Sequence, residues 1–284
     1  MKAFLGTGLL GSGFVKAMLL KGDSVQVWNR TLAKAKPLEA DGATVCEHVA
    51  DAVKGAQFIH LTLKDDATVD EVLEAARPGF IANATIIDHT TTSVDGAIAR
   101  TKKWAELGYT YLHAPVFMGP ANAEQSTGSM LVSGNQSVIA DLKDQLSAMT
   151  GKLINLGEAE GKAAGMKLTG NLFLIALTAG LSDALTLARA SGISATEVTD
   201  LFTDWNPAAS LSGRLNRMSG EDFSKPSWEL DMARKDTGLM LSEAEKNGVQ
   251  LTVIPAVAAL MDSFIAKGLG NQDWMIIGSD KVGY

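Results

Sequence analysis

A glycine-rich turn near the start of the chain constrains the fold more than any other feature. Gly6, Gly8 and Gly11 form a GxGxxG motif between an apolar segment, residues 2–5, and a segment with helical spacing, residues 9–20. In a strand–turn–helix unit the first glycine permits a tight turn, the second lets a pyrophosphate approach the backbone, and the third lets helix and strand pack closely. The motif therefore predicts a dinucleotide site; the alternative is a glycine-rich turn without a ligand.

The residues that follow the motif and the second predicted strand indicate which dinucleotide binds. Leu9 and Leu10 stand in the first helical turn, where free N–H groups and the helix dipole attract phosphate. The second strand ends in Asn29-Arg30-Thr31, where an NAD site usually has Asp or Glu for the ribose 2′-OH. Asn29 removes the charge that would repel a 2′-phosphate, Arg30 can grip that phosphate, and the Thr31 hydroxyl can donate to it. We therefore predict NADP rather than NAD, with a solvated Arg30 as the alternative.

Predicted strands and helices alternate through the first part of the chain, which indicates βαβ units and a mainly parallel sheet. The strands are predicted at residues 2–5, 24–28, 58–63, 85–88, 111–114 and 130–133. Strand signals stop near residue 161, and helices are predicted at residues 162–190, 195–203, 230–247 and 252–267. The sequence thus predicts an α/β, Rossmann-type doubly wound domain over 1–161. An all-α substrate and dimerisation domain over 162–284 follows, opened by a long interdomain helix.

Charge and composition exclude several classes of protein. The net charge is −7 without a basic run, which is typical of a chain that does not bind nucleic acid. Cys46 is the only cysteine and the four histidines lack ligand spacing, so we predict neither disulfides nor a metal site. The longest apolar stretch, residues 172–181, is shorter than the roughly 20 residues of a membrane span. Glycines interrupt the N-terminal apolar segment and argue against a signal peptide, so we expect a cytoplasmic protein without a membrane partner.

The long predicted helix carries leucine and isoleucine on more than one face. A helix on the surface of a small domain usually buries a single apolar stripe. We therefore predict a homodimer that shares this helix. The alternative is that the remaining helices wrap it completely within one monomer.

Further segments, taken in order, carry a family resemblance. They are a loop at residues 61–65, an Asp-His-Thr-Thr segment at 88–91, a lysine with an asparagine four residues later within 165–171, and a Lys-Asp pair at 235–236. With the glycine motif, they resemble the β-hydroxyacid dehydrogenases, which include 3-hydroxyisobutyrate dehydrogenase, tartronate semialdehyde reductase and glyoxylate/succinic semialdehyde reductase; imine reductases are relatives. The resemblance implies that Leu63, Thr91 and Lys235 contact the cofactor, with Thr91 at its nicotinamide end. It also implies that Trp228 and Asp236 border the substrate.

The resemblance further implies that Lys167 and Asn171 are the catalytic pair. Their i, i+4 spacing places them on one helical face. Carbonyl reduction needs a hydride on carbon, which NADPH supplies, and a proton on oxygen, which an ammonium group can supply. Partial burial would lower the pKa of the lysine as this role requires. Without the resemblance, a solvated helix lysine would be the favoured interpretation.

The predicted substrate loop departs from the family pattern, which usually reads Asp-Ala-Pro-Val-Ser-Gly-Gly. Phe117 and Met118 stand where the family has a serine and a glycine that hold the substrate carboxylate, and Asn122 replaces a further glycine. Gly119 remains. The pocket should therefore be more apolar than usual. The substrate is either a small semialdehyde acid held by backbone N–H groups and Asn122, or a less polar aldehyde, ketone or imine.

We accordingly predict an NADPH-dependent oxidoreductase that reduces a small aldehyde or semialdehyde acid to the hydroxy compound, or runs the reverse reaction. Lys167 would donate or accept the proton. One alternative is an imine reductase-like activity on a less polar substrate, although imine reductases usually lack the catalytic lysine. The other is a dinucleotide-binding protein without turnover, which the presence of both Lys167 and Asn171 disfavours.

Overall fold

The computed structural model describes residues 1–220 and 222–279. They form two compact units, an N-terminal unit of residues 1–171 and a C-terminal unit that begins at Leu172. All strands of the described residues lie in the N-terminal unit, and the last of them ends at Asn155. The predicted α/β architecture followed by an all-helical region is confirmed.

A six-stranded, fully parallel sheet forms the centre of the N-terminal unit. Its strands are β1 (Lys2–Leu5), β2 (Val25–Trp28), β3 (Thr44–Val45), β4 (Phe58–Leu61), β5 (Thr85–Asp88) and β6 (Thr110–His113). They are ordered β3-β2-β1-β4-β5-β6 across the sheet. The chain connections reverse direction between β1 and β4, and such a switch point opens a crevice at the carboxyl ends of the strands.

A second sheet of three strands follows, made of β7 (Val116–Phe117), β8 (Ser129–Val132) and β9 (Lys152–Asn155). Strand β8 pairs antiparallel with β7 and parallel with β9. The helices of this unit are α1 (Leu9–Leu20), α2 (Leu32–Ala35), α3 (Val49–Ala52), α4 (Asp66–Ala76), α5 (Val94–Glu106), α6 (Pro120–Gln125) and α7 (Gln136–Ser147). Of these elements, β3, β7, β9, α2 and α6 were not predicted.

The main sheet is buried on both faces, which explains why its strands read as continuous apolar runs. In β1, the side chain of Phe4 belongs to one hydrophobic core, whereas Ala3 and Leu5 belong to the other. All three are 0% exposed. Successive side chains of a strand point to opposite faces, so a strand with helices on both sides needs apolar residues at every position.

The C-terminal unit is built from helices around a smaller core. Helix α8 (Lys162–Ala190) has the predicted bounds; it begins in the N-terminal unit and continues into this one. It is followed by α9 (Ala195–Asp204), α10 (Leu211–Met218), α11 (Leu230–Lys246) and α12 (Ile254–Ile265). The core consists of Phe223, Leu230, Ala233, Met261, Phe264 and Ile276.

Helix α8 exposes much of its apolar surface. Leu172 is 69% exposed and Ile175 70% exposed, so the remaining described helices do not wrap it. By length and composition, α8 is also long and apolar enough to cross a membrane, whereas the sequence predicted no membrane span. The core helix of a water-soluble protein meets the same requirement.

One polar contact ties the middle of α8 to its neighbour. The buried Asp183 carboxylate accepts N–H groups from Thr252 (2.7 Å), Val253 (2.7 Å) and Ile254 (3.1 Å) at the start of α12. These three hydrogen bonds hold the pKa of Asp183 below its usual value, although burial opposes them. Because a carboxylate at a helix N-terminus is stabilised by the helix dipole, Asp183 fixes α8 against α12.

Candidate active site

The glycine motif forms the turn between β1 and α1, and its first and third positions are dictated by packing. Gly6 has φ +94°, and a Cβ there would overlap the carbonyl oxygen of Thr62. A Cβ at Gly11 would overlap the carbonyl oxygen of Gly6. At Gly8, in contrast, a Cβ would meet open space. The second glycine is therefore not required by the fold of the turn, and its exposed backbone is left for a ligand.

The surroundings of this turn fit a dinucleotide phosphate. The first turn of α1 carries no acidic residue. Thr7, Gly8, Lys16 and Lys34 line a cleft of about 450 Å³. Thr7 is buried, and its hydroxyl has no hydrogen-bond partner among the described residues. Sequence reasoning missed Lys34, which lies in the short, unpredicted helix α2.

The end of β2 is tied to the glycine turn by Asn29. Its Oδ1 accepts the Thr7 N–H (3.1 Å), and its Nδ2 donates to the Thr31 carbonyl oxygen (2.9 Å). Arg30 forms an ion pair with Glu71 (3.1 Å) in which both side chains are more than half exposed. An exposed pair of this kind is stabilised by roughly 0–1 kcal/mol, so an incoming phosphate can displace Glu71.

Two more loops meet the glycine turn at the carboxyl edge of the sheet. Thr62 Oγ1 donates to the Gly6 carbonyl oxygen (3.0 Å), and the Leu63 N–H donates to Thr90 Oγ1 (3.0 Å). Thr90 is buried, whereas Thr91 is exposed. The structure thus places Leu63 and Thr91 on the same rim as the glycine turn, and Thr91 is accessible to a ligand.

A chain of buried side chains lies behind this rim. His89 Nδ1 is 2.8 Å from the Ala114 carbonyl oxygen, His60 Nδ1 is 3.1 Å from His89 Nε2, and Gln145 Nε2 is 3.0 Å from His60 Nε2. Burial lowers the pKa of His89 to about 4 and that of His60 well below its usual value, so both rings are neutral near pH 7. Since a carbonyl oxygen only accepts, all three hydrogen bonds have one direction. Gln145 Nε2 donates to His60 Nε2, His60 Nδ1 donates to His89 Nε2, and His89 Nδ1 donates to the Ala114 oxygen. The two histidines therefore have a structural role: their hydrogen bonds hold Ala114, which directly follows the end of β6.

Lys167 lies at the start of α8 in a half-buried position. Its Nζ donates to Asn171 Oδ1 (3.0 Å) and lies 4.4 Å from the centre of the Phe117 ring. Burial lowers the pKa of Lys167 below its usual value. Gly165, two residues earlier, faces Val94 at the start of α5, which directly follows the Thr91 segment. The structure therefore brings Lys167, Asn171 and Phe117 together.

The other residues of the predicted substrate loop mainly hold the loop itself. Met118 packs against the hydrophobic core of the N-terminal unit. Asn122 Oδ1 accepts the Gly119 N–H (2.9 Å), and Asn122 Nδ2 donates to Thr127 Oγ1 (3.0 Å). These contacts engage two groups, the Gly119 N–H and the Asn122 amide, that a substrate carboxylate was expected to use.

The remaining predicted residues belong to the C-terminal unit. Trp228 packs edge-to-face against Trp274, with ring centres 5.5 Å apart. Lys235 and Asp236 lie on α11 and form an ion pair (2.9 Å), with the Lys235 side chain 54% exposed. Their roles toward cofactor and substrate stay predictions.

Comparison with known families accounts for nearly the whole chain. Residues 2–157 match the family model of the NAD binding domain of 6-phosphogluconate dehydrogenase. Residues 161–277 match the model described as NAD-binding of NADP-dependent 3-hydroxyisobutyrate dehydrogenase.

Individual relatives and solved structures agree with these matches. The chain is 26% identical to glyoxylate/succinic semialdehyde reductase 1 of Arabidopsis thaliana, over 96% of each chain. It is 28% identical to 3-sulfolactaldehyde reductase of Escherichia coli, over 97% of this chain and 93% of that one. The structure of an imine reductase from Myxococcus stipitatus in complex with NADP+ has a TM-score of 0.89 at 23% identity, covering 98% of both chains. At this identity the structural likeness establishes a common fold.

The two glycines Gly8 and Gly11 give a matched test of the cleft. Gly8→Ala should leave the thermal unfolding midpoint nearly unchanged and raise the Kd for NADPH about tenfold or more, because its methyl group lies where a phosphate would approach. Gly11→Ala should lower the free energy of unfolding by about 1–3 kcal/mol, because its methyl group overlaps backbone. Calorimetric titration and thermal melts measure both effects. Unaltered NADPH affinity of Gly8→Ala would place the phosphate elsewhere.

Proposed function

The chain belongs to the β-hydroxyacid dehydrogenase family of NAD(P)-binding oxidoreductases, and from this premise we propose that it is an NADPH-dependent reductase of a small aldehyde or semialdehyde acid. The reverse oxidation would use the same groups. The observation that carries the proposal is the half-buried Lys167, whose Nζ is held 3.0 Å from Asn171 Oδ1. The cleft at the glycine turn supports the cofactor, because it combines an exposed Gly8 backbone with two lysines.

Lys167 can deliver the proton that carbonyl reduction needs. Bound NADPH supplies the hydride to the carbonyl carbon. The ammonium has three N–H donors, and since Asn171 accepts one of them, the others can polarise the carbonyl oxygen and protonate it. Burial lowers the pKa of Lys167 toward the working pH, which makes it a stronger acid than a solvated lysine.

The preference for NADPH is supported by the charges near the end of β2. Arg30 and Lys34 offer two positive groups there, and Asn29 stands where NAD sites usually carry a carboxylate. The nearby Glu71 carboxylate, which pairs with Arg30, is exposed and replaceable. A 2′-phosphate would take over the guanidinium through charge-assisted hydrogen bonds.

A second candidate is reduction of a less polar carbonyl or imine. The observation that favours it is the engagement of Asn122 and of the Gly119 N–H within their own loop. Together with Phe117 in place of a hydroxyl, this leaves fewer donors for a carboxylate. Initial rates of NADPH consumption with succinic semialdehyde, glyoxylate and a cyclic imine separate the two candidates. Turnover of the imine alone would support the second and contradict the first.

The role of Lys167 is tested by Lys167→Ala. We expect kcat to fall at least 100-fold, because the proton donor is removed, while the Kd for NADPH stays within a factor of two or so. The matched control is Lys162→Ala, which removes an exposed lysine from the same helix. Wild-type turnover by Lys167→Ala would show that the proton comes from another group.

The cofactor preference is tested by Arg30→Ala. We expect its Kd for NADPH to rise about 10- to 100-fold, because a hydrogen-bonded charge pair with the phosphate is worth about 1.5–3 kcal/mol. Its Kd for NADH should stay unchanged. Glu71→Gln is the control, since it removes only the carboxylate that competes for Arg30 and should not weaken the binding of NADPH. An equal loss of affinity for NADPH and NADH would mean that Arg30 does not distinguish the two cofactors.

We further propose that the exposed apolar surface of α8 is buried between two copies of the chain. This surface consists of Leu172, Phe173, Leu174, Ile175, Leu177 and Leu181. Six large apolar side chains exposed on one helix are unusual for a monomer in water. The Asp183 carboxylate, which must stay attached to the start of α12, argues against placing the helix alone in lipid.

Sedimentation velocity in detergent-free buffer tests the dimer. We expect twice the mass of one chain, and a shift toward one chain mass for Ile175→Glu, because a buried carboxylate in the interface is costly. Lys64→Glu, at an exposed position of the N-terminal unit, should sediment as the wild type does. A wild-type monomer, or protein recovered only with membranes, would contradict the proposal.

A further inference from the structure

The aromatic ring of Phe117 is held tightly beside Lys167. Phe117 lies at the end of β7, where it pairs with Ser129 of β8. Its ring packs against α8 at Gly170, where a Cβ would overlap the ring. Its carbonyl oxygen would lie 2.8 Å from a Cβ at Gly128, a position with φ +78°. The ring therefore fits against the helix because Gly170 has no side chain, and the Phe117 backbone fits against the start of β8 because Gly128 has none.

The ring presents its face to the ammonium group. Lys167 Nζ lies 4.4 Å from the ring centre, within the roughly 6 Å over which a cation is attracted to an aromatic face. Asn171 Oδ1 accepts one of the N–H groups of the ammonium. The ammonium thus contacts a π face and an amide oxygen, and since it has three N–H donors, a donor remains for a substrate oxygen.

We propose that Phe117 is a positioning residue for Lys167: its ring face holds the ammonium against Asn171 and stabilises the protonated form within a half-buried site. The activity part of this inference rests on the proposed function, whereas the interaction between Phe117 and Lys167 does not. The ring thus does more than fill the place of a hydroxyl. It opposes the effect of burial, so that the lysine still carries its proton when a carbonyl binds.

The balance of effects on Lys167 makes the ring important. Burial is the cause that lowers its pKa, and no charged side chain of α5, β7 or α8 among the described residues contributes to the shift. Asn171 is neutral. With no carboxylate to favour the ammonium, the ring quadrupole and the hydrogen bond to Asn171 Oδ1 are the interactions that oppose the effect of burial.

The test is the pKa of Lys167, measured by NMR of the protein with lysines labelled with ¹³C at Cε and assigned with Lys167→Arg. Phe117→Leu should lower this pKa by about 0.5–1.5 units, because the leucine keeps the site apolar but has no π face. Phe117→Tyr should restore the wild-type value. Phe80→Leu, which removes a ring elsewhere in the N-terminal unit, should leave the pKa unchanged. An unchanged or raised pKa in Phe117→Leu overturns the proposal.

A second measurement separates the effect of the ring quadrupole on Lys167 from the effect of the ring's shape. Replacing the Phe117 ring by its mono-, di- and trifluoro analogues weakens the quadrupole with little change in size. We expect the pKa of Lys167 to fall stepwise along this series, and no trend would contradict a role of the π face.

Turnover then distinguishes this inference from the proposed function. With a carbonyl substrate, the basic limb of kcat against pH should move down in Phe117→Leu by the shift that NMR shows, with unchanged Kd for NADPH. Absence of turnover of every carbonyl tested, in the presence of the NMR shift, would contradict the proposed function and leave the positioning of Lys167 supported. Turnover without an NMR shift would support the proposed function and contradict the positioning of Lys167 by Phe117.

Discussion

The close approach of three backbone segments at the carboxyl edge of the sheet is the constraint on which the rest of the N-terminal unit depends. Gly6, Gly11 and Thr62 meet so tightly that neither glycine can carry a side chain. This contact draws the start of α1 onto the ends of β1 and β4. It places the free N–H groups of the helix at the switch point of the sheet. Both the helix N-terminus and the crevice at the switch point favour an anionic ligand there.

The chemistry proposed for the protein also depends on the loops after β4 and β5, which lie at the same edge of the sheet. Hydrogen bonds from Leu63 to Thr90 and from Thr62 to Gly6 join three consecutive strand ends into one rim. The buried histidine chain supports the rim from behind, with both rings neutral and each nitrogen paired. Helix α8 then brings Lys167 to this region, because Gly165 packs near Val94 at the start of α5. A lysine on a long helix thereby becomes half-buried.

The main strands and the long helices were predicted, whereas several short elements were not. The main strands and α8 were found because burial on two faces, or 29 residues of helical spacing, leaves a clear pattern. Strands β3 and β7 have two residues each, too few to show alternation. Lys34 was missed because its importance comes from the cleft that it shares with Gly8. Met118, predicted at the substrate, is partly buried against the hydrophobic core of the N-terminal unit, and its role toward a substrate stays a prediction.

The sequence by itself determined the class of fold and the family, because glycine spacing, apolar runs and the order of motifs are local properties of the chain. It also determined that Lys167 and Asn171 share a helical face, since that follows from their spacing. Only the tertiary structure decided what surrounds the lysine. The contact of Lys167 with Phe117 joins residues fifty positions apart, and it exists because Gly170 admits the ring. Burial and pKa arise from such distant contacts, which no local pattern encodes.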